Sequence, residues 1–302
     1  MKFLLFLNSL HSLVTLVNAG KKHSTNPSGS PNVPSSPDPQ ETVWKAQTKL
    51  ITQFTRHADL DKLDYWIKAN AQQSILDYFA YYFVDTETPY SKESLEGFLA
   101  PLRDYNYVKE TNAFNDDRIW LALASLRAYD LSKEQVFLKH AIHVQEHVKK
   151  QWTNVCGGGV PWKTDDNYKN TITNGLYFQL SAALYSKTRS DVYNTDAQGT
   201  YKWIMNSGLY NSNVFHDGLV DQKNGSCRLA PDVYSYQLGP IMTGLVELGL
   251  NDDALGFALR SLPYFTTSDT KVIKEPNSCD QSTAKDACGG DGKYITKFDL
   301  TK

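Results

Sequence analysis

The sequence predicts an all-α domain in which antiparallel helical hairpins close into an α/α barrel. Three observations lead there. From about Thr42 onward, apolar residues recur at spacings of three and four, the helical period, and strand-like alternation is scarce. Three polar, cap-like starts, SKEQVFLKHA, RSDVYNTDAQ and LNDDALGFAL, recur roughly 55 to 60 residues apart, about one helical hairpin per step. Between them lie long loops rich in Gly, Asn and Asp, NVCGGGVPWKTDDNYKNT and NSNVFHDGLVDQKNGSC. Long loops recurring on one side of a helical toroid are where function normally sits.

Taken in order, residues 1–19, MKFLLFLNSLHSLVTLVNA, combine a basic Lys2, an apolar run and a small-residue end. They predict a secretory signal peptide cleaved after Ala19, hence a secreted or cell-wall protein. Residues 20–41 set five prolines among Ser, Asn and Gly and read as a linker with too little apolar surface to offset its ordering entropy. Residues 42–302 form the folded domain. Helices are expected over Val43–His57, Asp64–Val84, Asp116–Asp130, Glu134–Trp152, Ile172–Thr188 and Gln237–Gly249. No segment after the signal is apolar for long enough to span a bilayer.

Composition narrows the function. The 302 residues are 41% hydrophobic, enough for one large core. A net charge of −2 and a pI near 6.4 offer no basic patch for nucleic acid, so no nucleic-acid partner is expected. Eighteen Tyr and six Trp supply flat rings on which a sugar face can pack. Four cysteines in an oxidising compartment allow three pairings. A local bridge between Cys279 and Cys288 is the natural choice, leaving Cys156 with Cys227. With no C-x-x-C and no histidines near these cysteines, neither metal nor cofactor is expected. Asn224-Gly-Ser226 is a glycosylation sequon in a loop-like segment.

The chemistry concentrates in three stretches. In NDDRIWLALA, Asn115 or Asp116 serves as an N-cap, and a carboxylate suits the positive end of the helix dipole. A second aspartate, Asp117, has no capping purpose and is repelled by the first. Helix neighbours diverge by about 100°, so both face one cleft only at a helix end. There one carboxylate can stay ionised while its neighbour's charge holds the other protonated, the division of labour that glycoside cleavage needs. In CGGGVPWKTDDNYKNTITN, the glycines admit unusual backbone angles, and Trp162 beside Lys163, Asp165, Tyr168 and Asn170 resembles a sugar platform. Asp165-Asp166 is a rival pair, but a polar loop gives it neither dipole nor desolvation. In HDGLVDQ and DVYSYQLGP, Asp217, Asp221, Tyr234, Tyr236 and Gln237 form a polar and aromatic loop suited to hydroxyl recognition.

In succession, NDDRIWLALASLRAYDLS, NVCGGGVPWKTDDNYKNTITNGLYFQLSAALYSKT and DGLVDQ…CRLAPDVYSYQLGPIMTGLVEL resemble glycoside hydrolase family 76, the α-1,6-mannanases, and most of all its secreted fungal members. The resemblance covers about residues 44 to 302. It implies an (α/α)6 barrel and a retaining attack on α-1,6-linked mannan, with Asp116 as nucleophile and Asp117 as general acid/base. It also implies that Trp162, Lys163, Asn170, Asn174, Tyr236 and Gln237 face the cleft, and that Asp291 matches an acidic position that contacts substrate. The chain departs from the family's early W-W-Q stretch, where it reads DYWIKANAQQS, and from its late aromatic-Lys-Gly-Ile-Phe stretch, where it reads GKYITKFDL. Nine or ten helices can be counted where six hairpins need twelve, so the last helices are expected to be missing. Two readings compete with hydrolysis: transfer to a sugar hydroxyl, which shares the covalent intermediate, and mannan binding without catalysis.

Overall fold

The computed structural model describes residues 65–82, 92–103 and 113–266. The expected signal peptide, the linker, the helix Val43–His57, Asp291 and the Cys279–Cys288 bridge lie outside the described residues.

The described helices are α1 (Tyr65–Tyr82), α2 (Lys92–Arg103), α3 (Asn115–Ser132), α4 (Gln135–Lys149), α5 (Thr171–Thr188), α6 (Asp191–Asn206), α7 (Leu238–Glu247) and α8 (Asn251–Phe265). They form two layers. Helices α1, α3, α5 and α7 pack side by side as an inner row, and α4, α6 and α8 each lie behind the inner helix that precedes them. Burial shows why. In α5 every residue from Thr171 to Leu184 is buried, and α3 is buried around most of its circumference. A helix covered on all sides needs no polar face. The outer helices instead bury single stripes: Phe137, His140, Ala141, Val144 and Val148 in α4, and Ala254, Phe257, Ser261 and Phe265 in α8. The three repeated polar starts in the sequence are the beginnings of the outer helices α4, α6 and α8.

Helices α3, α5 and α7 turn into their outer partners by the same device. Lys133 (φ 60°), Arg189 (φ 58°) and Gly249 (φ 79°) adopt the left-handed conformation just past α3, α5 and α7. Lys133 N–H donates to the Tyr129 carbonyl and Arg189 N–H to the Tyr185 carbonyl, each at 2.8 Å, closing the last helical turn. Polar contacts then fix the layers. His140 Nδ1 lies 2.6 Å from Ser125 Oγ. Gln145 Nε2 donates to Tyr177 Oη, Ser181 Oγ and Asp196 Oδ2, at 3.1, 3.3 and 2.9 Å, so one amide joins α4, α5 and α6. Burial holds His140 neutral, lowering its pKa to about 4.

The segment expected as a loop after Asn211 is a sheet instead. Strands β1 (Lys169–Asn170), β2 (Tyr210–Asn211), β3 (Val214–Asp221) and β4 (Cys227–Val233) assemble antiparallel around β3. A register shift between His216 and Gly218 breaks the two-residue period, so β3 buries residues in pairs rather than alternately. That bulge hid the strand from a reading based on alternation. The bridge Cys156–Cys227 forms as expected, with the Cα atoms 5.5 Å apart, and ties β4 to the glycine loop. The expected helix at Gln237 begins as a short 3₁₀ turn, Ser235–Gln237, before α7.

Candidate active site

Asp116 and Asp117 occupy the first turn of α3, at the end of the inner row where the loops gather. The capping expected of Asn115 or Asp116 does not occur: Phe114 is the N-cap and supplies no side-chain bond. The first helical N–H groups are satisfied otherwise. Asn115 N–H donates to the Trp162 carbonyl at 2.8 Å, and Asp117 N–H to Asp116 Oδ1 at 3.0 Å. The Asn115 side chain is wholly buried. Its amide pairs reciprocally with that of Gln151, both bonds 3.0 Å, and also donates to the Pro161 carbonyl. Thr164 N–H donates to the Ala113 carbonyl, and Phe114 pairs with Lys163 as an isolated bridge. The start of α3 is therefore joined to the Trp162 loop on both sides.

Trp162 is half-buried rather than exposed. Its indole Nε1–H donates to Asp116 Oδ2 at 3.0 Å, and its ring packs against Phe114 (4.9 Å) and edge-on against Tyr168 (6.4 Å). Burial, and then the charge of Asp117, push the Asp116 carboxyl up to about 7; hydrogen bonds from Asp117 N–H, the Trp162 indole and Asp116's own N–H oppose that rise. The group raised in the free protein is thus Asp116, the residue the resemblance makes the nucleophile. With its carboxyl raised to about 7, Asp116 keeps a proton up to near neutrality, where an isolated aspartate is ionised.

A second cluster adjoins Trp162 through Tyr168. The Tyr168 hydroxyl donates to Asp217 Oδ2, and Gln237 Nε2 donates to Asp217 Oδ1 at 2.9 Å. The Gln237 carbonyl oxygen accepts from Tyr234 N–H at 3.3 Å. Gly218 makes room for this cluster, since a Cβ there would lie 2.6 Å from the Tyr168 ring. The glycine loop beneath is equally tight. Gly157, Gly158 and Gly159 all have positive φ, and a Cβ on Gly159 would lie 2.6 Å from Trp203. Lys169, fully buried, donates to Thr153 Oγ1 (2.7 Å) and the Gly159 carbonyl (2.6 Å), and desolvation lowers its pKa to about 8.

Several residues expected to face the cleft are buried and bonded to neighbouring groups of the protein. Asn174 is wholly buried; it accepts from Val160 N–H (2.8 Å) and donates to the carbonyls of Val160 and Asn170. Asn170 is buried as the N-cap of α5. Gln237 is wholly buried against Asp217. Amides at helix starts bond readily to nearby backbone, and here that use consumes them. Lys163 and Tyr236 remain half-buried, with Tyr236 packed 5.6 Å from Tyr234. In the rival pair, Asp165 is exposed and Asp166 accepts from the N–H groups of Asn167 and Tyr168. Gln151 is a central contact that the sequence reading did not name, because its partner Asn115 lies 36 residues away; Tyr168, named there as part of the platform, is instead held by Asp217, 49 residues on. Among the described residues no group of three or more His, Cys, Asp or Glu could hold a metal ion.

Paired inner and outer helices, with a partly buried carboxylate pair beside an aromatic loop, define an α/α helical fold with a candidate site at one helix end. The profile of glycosyl hydrolase family 76 matches residues 40–291, more than four fifths of the chain. The chain belongs to that family. Mannan endo-1,6-α-mannosidase DCW1 of Candida albicans is 26% identical over 202 residues, which cover 61% of this chain and 44% of that protein. The chain spans less than half the length of the first curated relatives it matches. Among solved structures, Dfg5 of Chaetomium thermophilum, in complex with glucosamine, superposes with a TM-score of 0.67 at 18% identity, covering 85% of this chain and 71% of that one. An inactive variant of the α-1,6-mannanase GH76A of Salegentibacter sp. HEL1_6, with two adjacent aspartates changed to alanine, is in complex with α-1,6-mannotetrose. It superposes with a TM-score of 0.59 at 25% identity, covering 70% of this chain and 64% of that one. These neighbours are (α/α)6 barrels, the fold class expected here.

Proposed function

We propose that the chain is a secreted, retaining endo-α-1,6-mannanase acting on cell-wall mannan, with Asp116 as nucleophile and Asp117 as general acid/base. The observation that carries this reading is the carboxylate pair itself: two adjacent, partly buried acids at the positive end of an inner helix, with the Asp116 carboxyl raised to about 7. The names of the fungal relatives supply the substrate, and the inactivity of the Salegentibacter variant lacking two adjacent aspartates supports the roles.

In this mechanism, sugar binding brings the glycosidic oxygen to Asp117, which draws the proton from Asp116. Asp116, then bare, attacks the anomeric carbon as the proton passes to the leaving oxygen. The indole N–H of Trp162 and the Asp117 backbone N–H steady the Asp116 carboxylate until that moment. Water, deprotonated by Asp117, then releases the sugar with its original anomeric configuration. Incubation with linear α-1,6-mannan, read by product size and by NMR of the first-formed anomer, tests the proposal. Shorter α-anomeric products are expected, and both Asp116→Asn and Asp117→Asn should abolish them. β-anomeric products, or an Asp116→Asn variant of unchanged activity, would refute it.

A further inference from the structure

We propose that Asn224 carries an N-linked oligosaccharide attached before the Cys156–Cys227 bridge closes. The inference is independent of the catalytic reading. Asn224-Gly-Ser226 is the one Asn-x-Ser/Thr site in the chain whose middle residue is not proline. It forms the tip of the β3–β4 hairpin, where residues 222–226 are all exposed. The Asn224 side-chain oxygen accepts from Ser226 N–H (3.0 Å) and Ser226 Oγ–H (2.6 Å), and among the described residues its amide nitrogen has no recorded contact. The reaction is a transfer to that nitrogen from a lipid-diphosphate oligosaccharide. The C1–O bond to phosphate breaks, a C1–Nδ2 bond forms, and one amide proton leaves.

The folded hairpin is a poor acceptor despite its exposure. A transferase must draw the segment out and read the serine hydroxyl, yet that hydroxyl is folded back on Asn224. Gln222 N–H donates to the Ser226 carbonyl at 3.0 Å, and the next residue, Cys227, pairs with Asp221 and is bridged to Cys156. Only five residues separate the paired positions, too few to be drawn out once both ends are fixed. Modification therefore competes with closure of the bridge.

The test is expression of the full chain in a yeast secretory host, with Asn224 occupancy read by gel mobility before and after glycan removal and by peptide mass. The arms are the unaltered chain, the unaltered chain under a pulse of dithiothreitol, Cys156→Ser and Asn224→Gln. Cys156→Ser frees Cys227 without touching the sequon, and the dithiothreitol arm keeps the bridge open without any substitution. Partial occupancy is expected in the unaltered chain, with a shift toward the modified band in both bridge-free arms and none of that band in Asn224→Gln. Absence of modified Asn224 from every arm would overturn the site. Equal occupancy with and without the bridge would overturn the order of events.

Discussion

Replacing Asp116 by Asn should stabilise the protein at alkaline pH and destabilise it in acid. The Asp116 carboxyl lies at about 7 in the folded chain against an ordinary 3.8. A group whose folded pKa is raised favours folding below its unfolded value, and that advantage disappears as pH rises through the folded one. Between pH 4 and pH 8 the folded state thus loses at most about 4 kcal/mol through this one group, at 1.36 kcal/mol per tenfold change. Asn does not titrate and escapes the loss. It also has a cost. Both Asp116 oxygens accept, one from Trp162 Nε1–H and one from Asp117 N–H, and an amide offers only one acceptor. One donor then faces an NH2 group, a penalty of about 1–3 kcal/mol at every pH. The expected balance is a variant weaker by about 1–3 kcal/mol at pH 4 and stronger by about 1–3 kcal/mol at pH 8. Urea unfolding at both pH values, with the slope of the transition compared, measures it. A stability difference between the two proteins that does not change with pH would refute the picture of a desolvated acid beside a charged neighbour.

Mannan cleavage should fall as pH rises through about 7, because Asp116 then loses the proton the mechanism uses; a pH–rate profile on linear α-1,6-mannan reads this limb. Trp162→Phe keeps the ring but removes a donor that lowers the Asp116 pKa, so the same limb should move up by about one pH unit. His140 titrates in the opposite sense. Its pKa is lowered from 6.5 to about 4, so its contribution to stability is lost as pH falls between those values, by about 3 kcal/mol, and His140→Gln should flatten that part of a stability–pH curve. Cys227→Ser opens a bridge spanning 71 residues and should lower stability by about 4 kcal/mol in the chain-entropy account, measurable by thermal unfolding.

The hairpin plan was legible in the sequence because outer helices must present one apolar stripe inward and a polar face outward. The repeat that marks α4, α6 and α8 is that pattern, and the Asp116–Asp117 pair stood out because only one acid at a helix start has a local use. Local rules could not show which polar side chains reach the cleft. Asn170, Asn174 and Gln237 carry the right chemistry for sugar hydroxyls, yet backbone N–H groups 3 and 14 residues away engage the two asparagines, and the Asp217 carboxylate 20 residues away engages Gln237. Nor could they show that Asn115 would be held by Gln151 instead of capping α3, or that the presumed loop would be a bulged strand, β3. Local propensity and periodicity act over a few residues and so fixed the helices and their order. The polar site depends on hydrogen bonds that compete across 36, 46 and 49 residues, and only the folded chain decides which partners win.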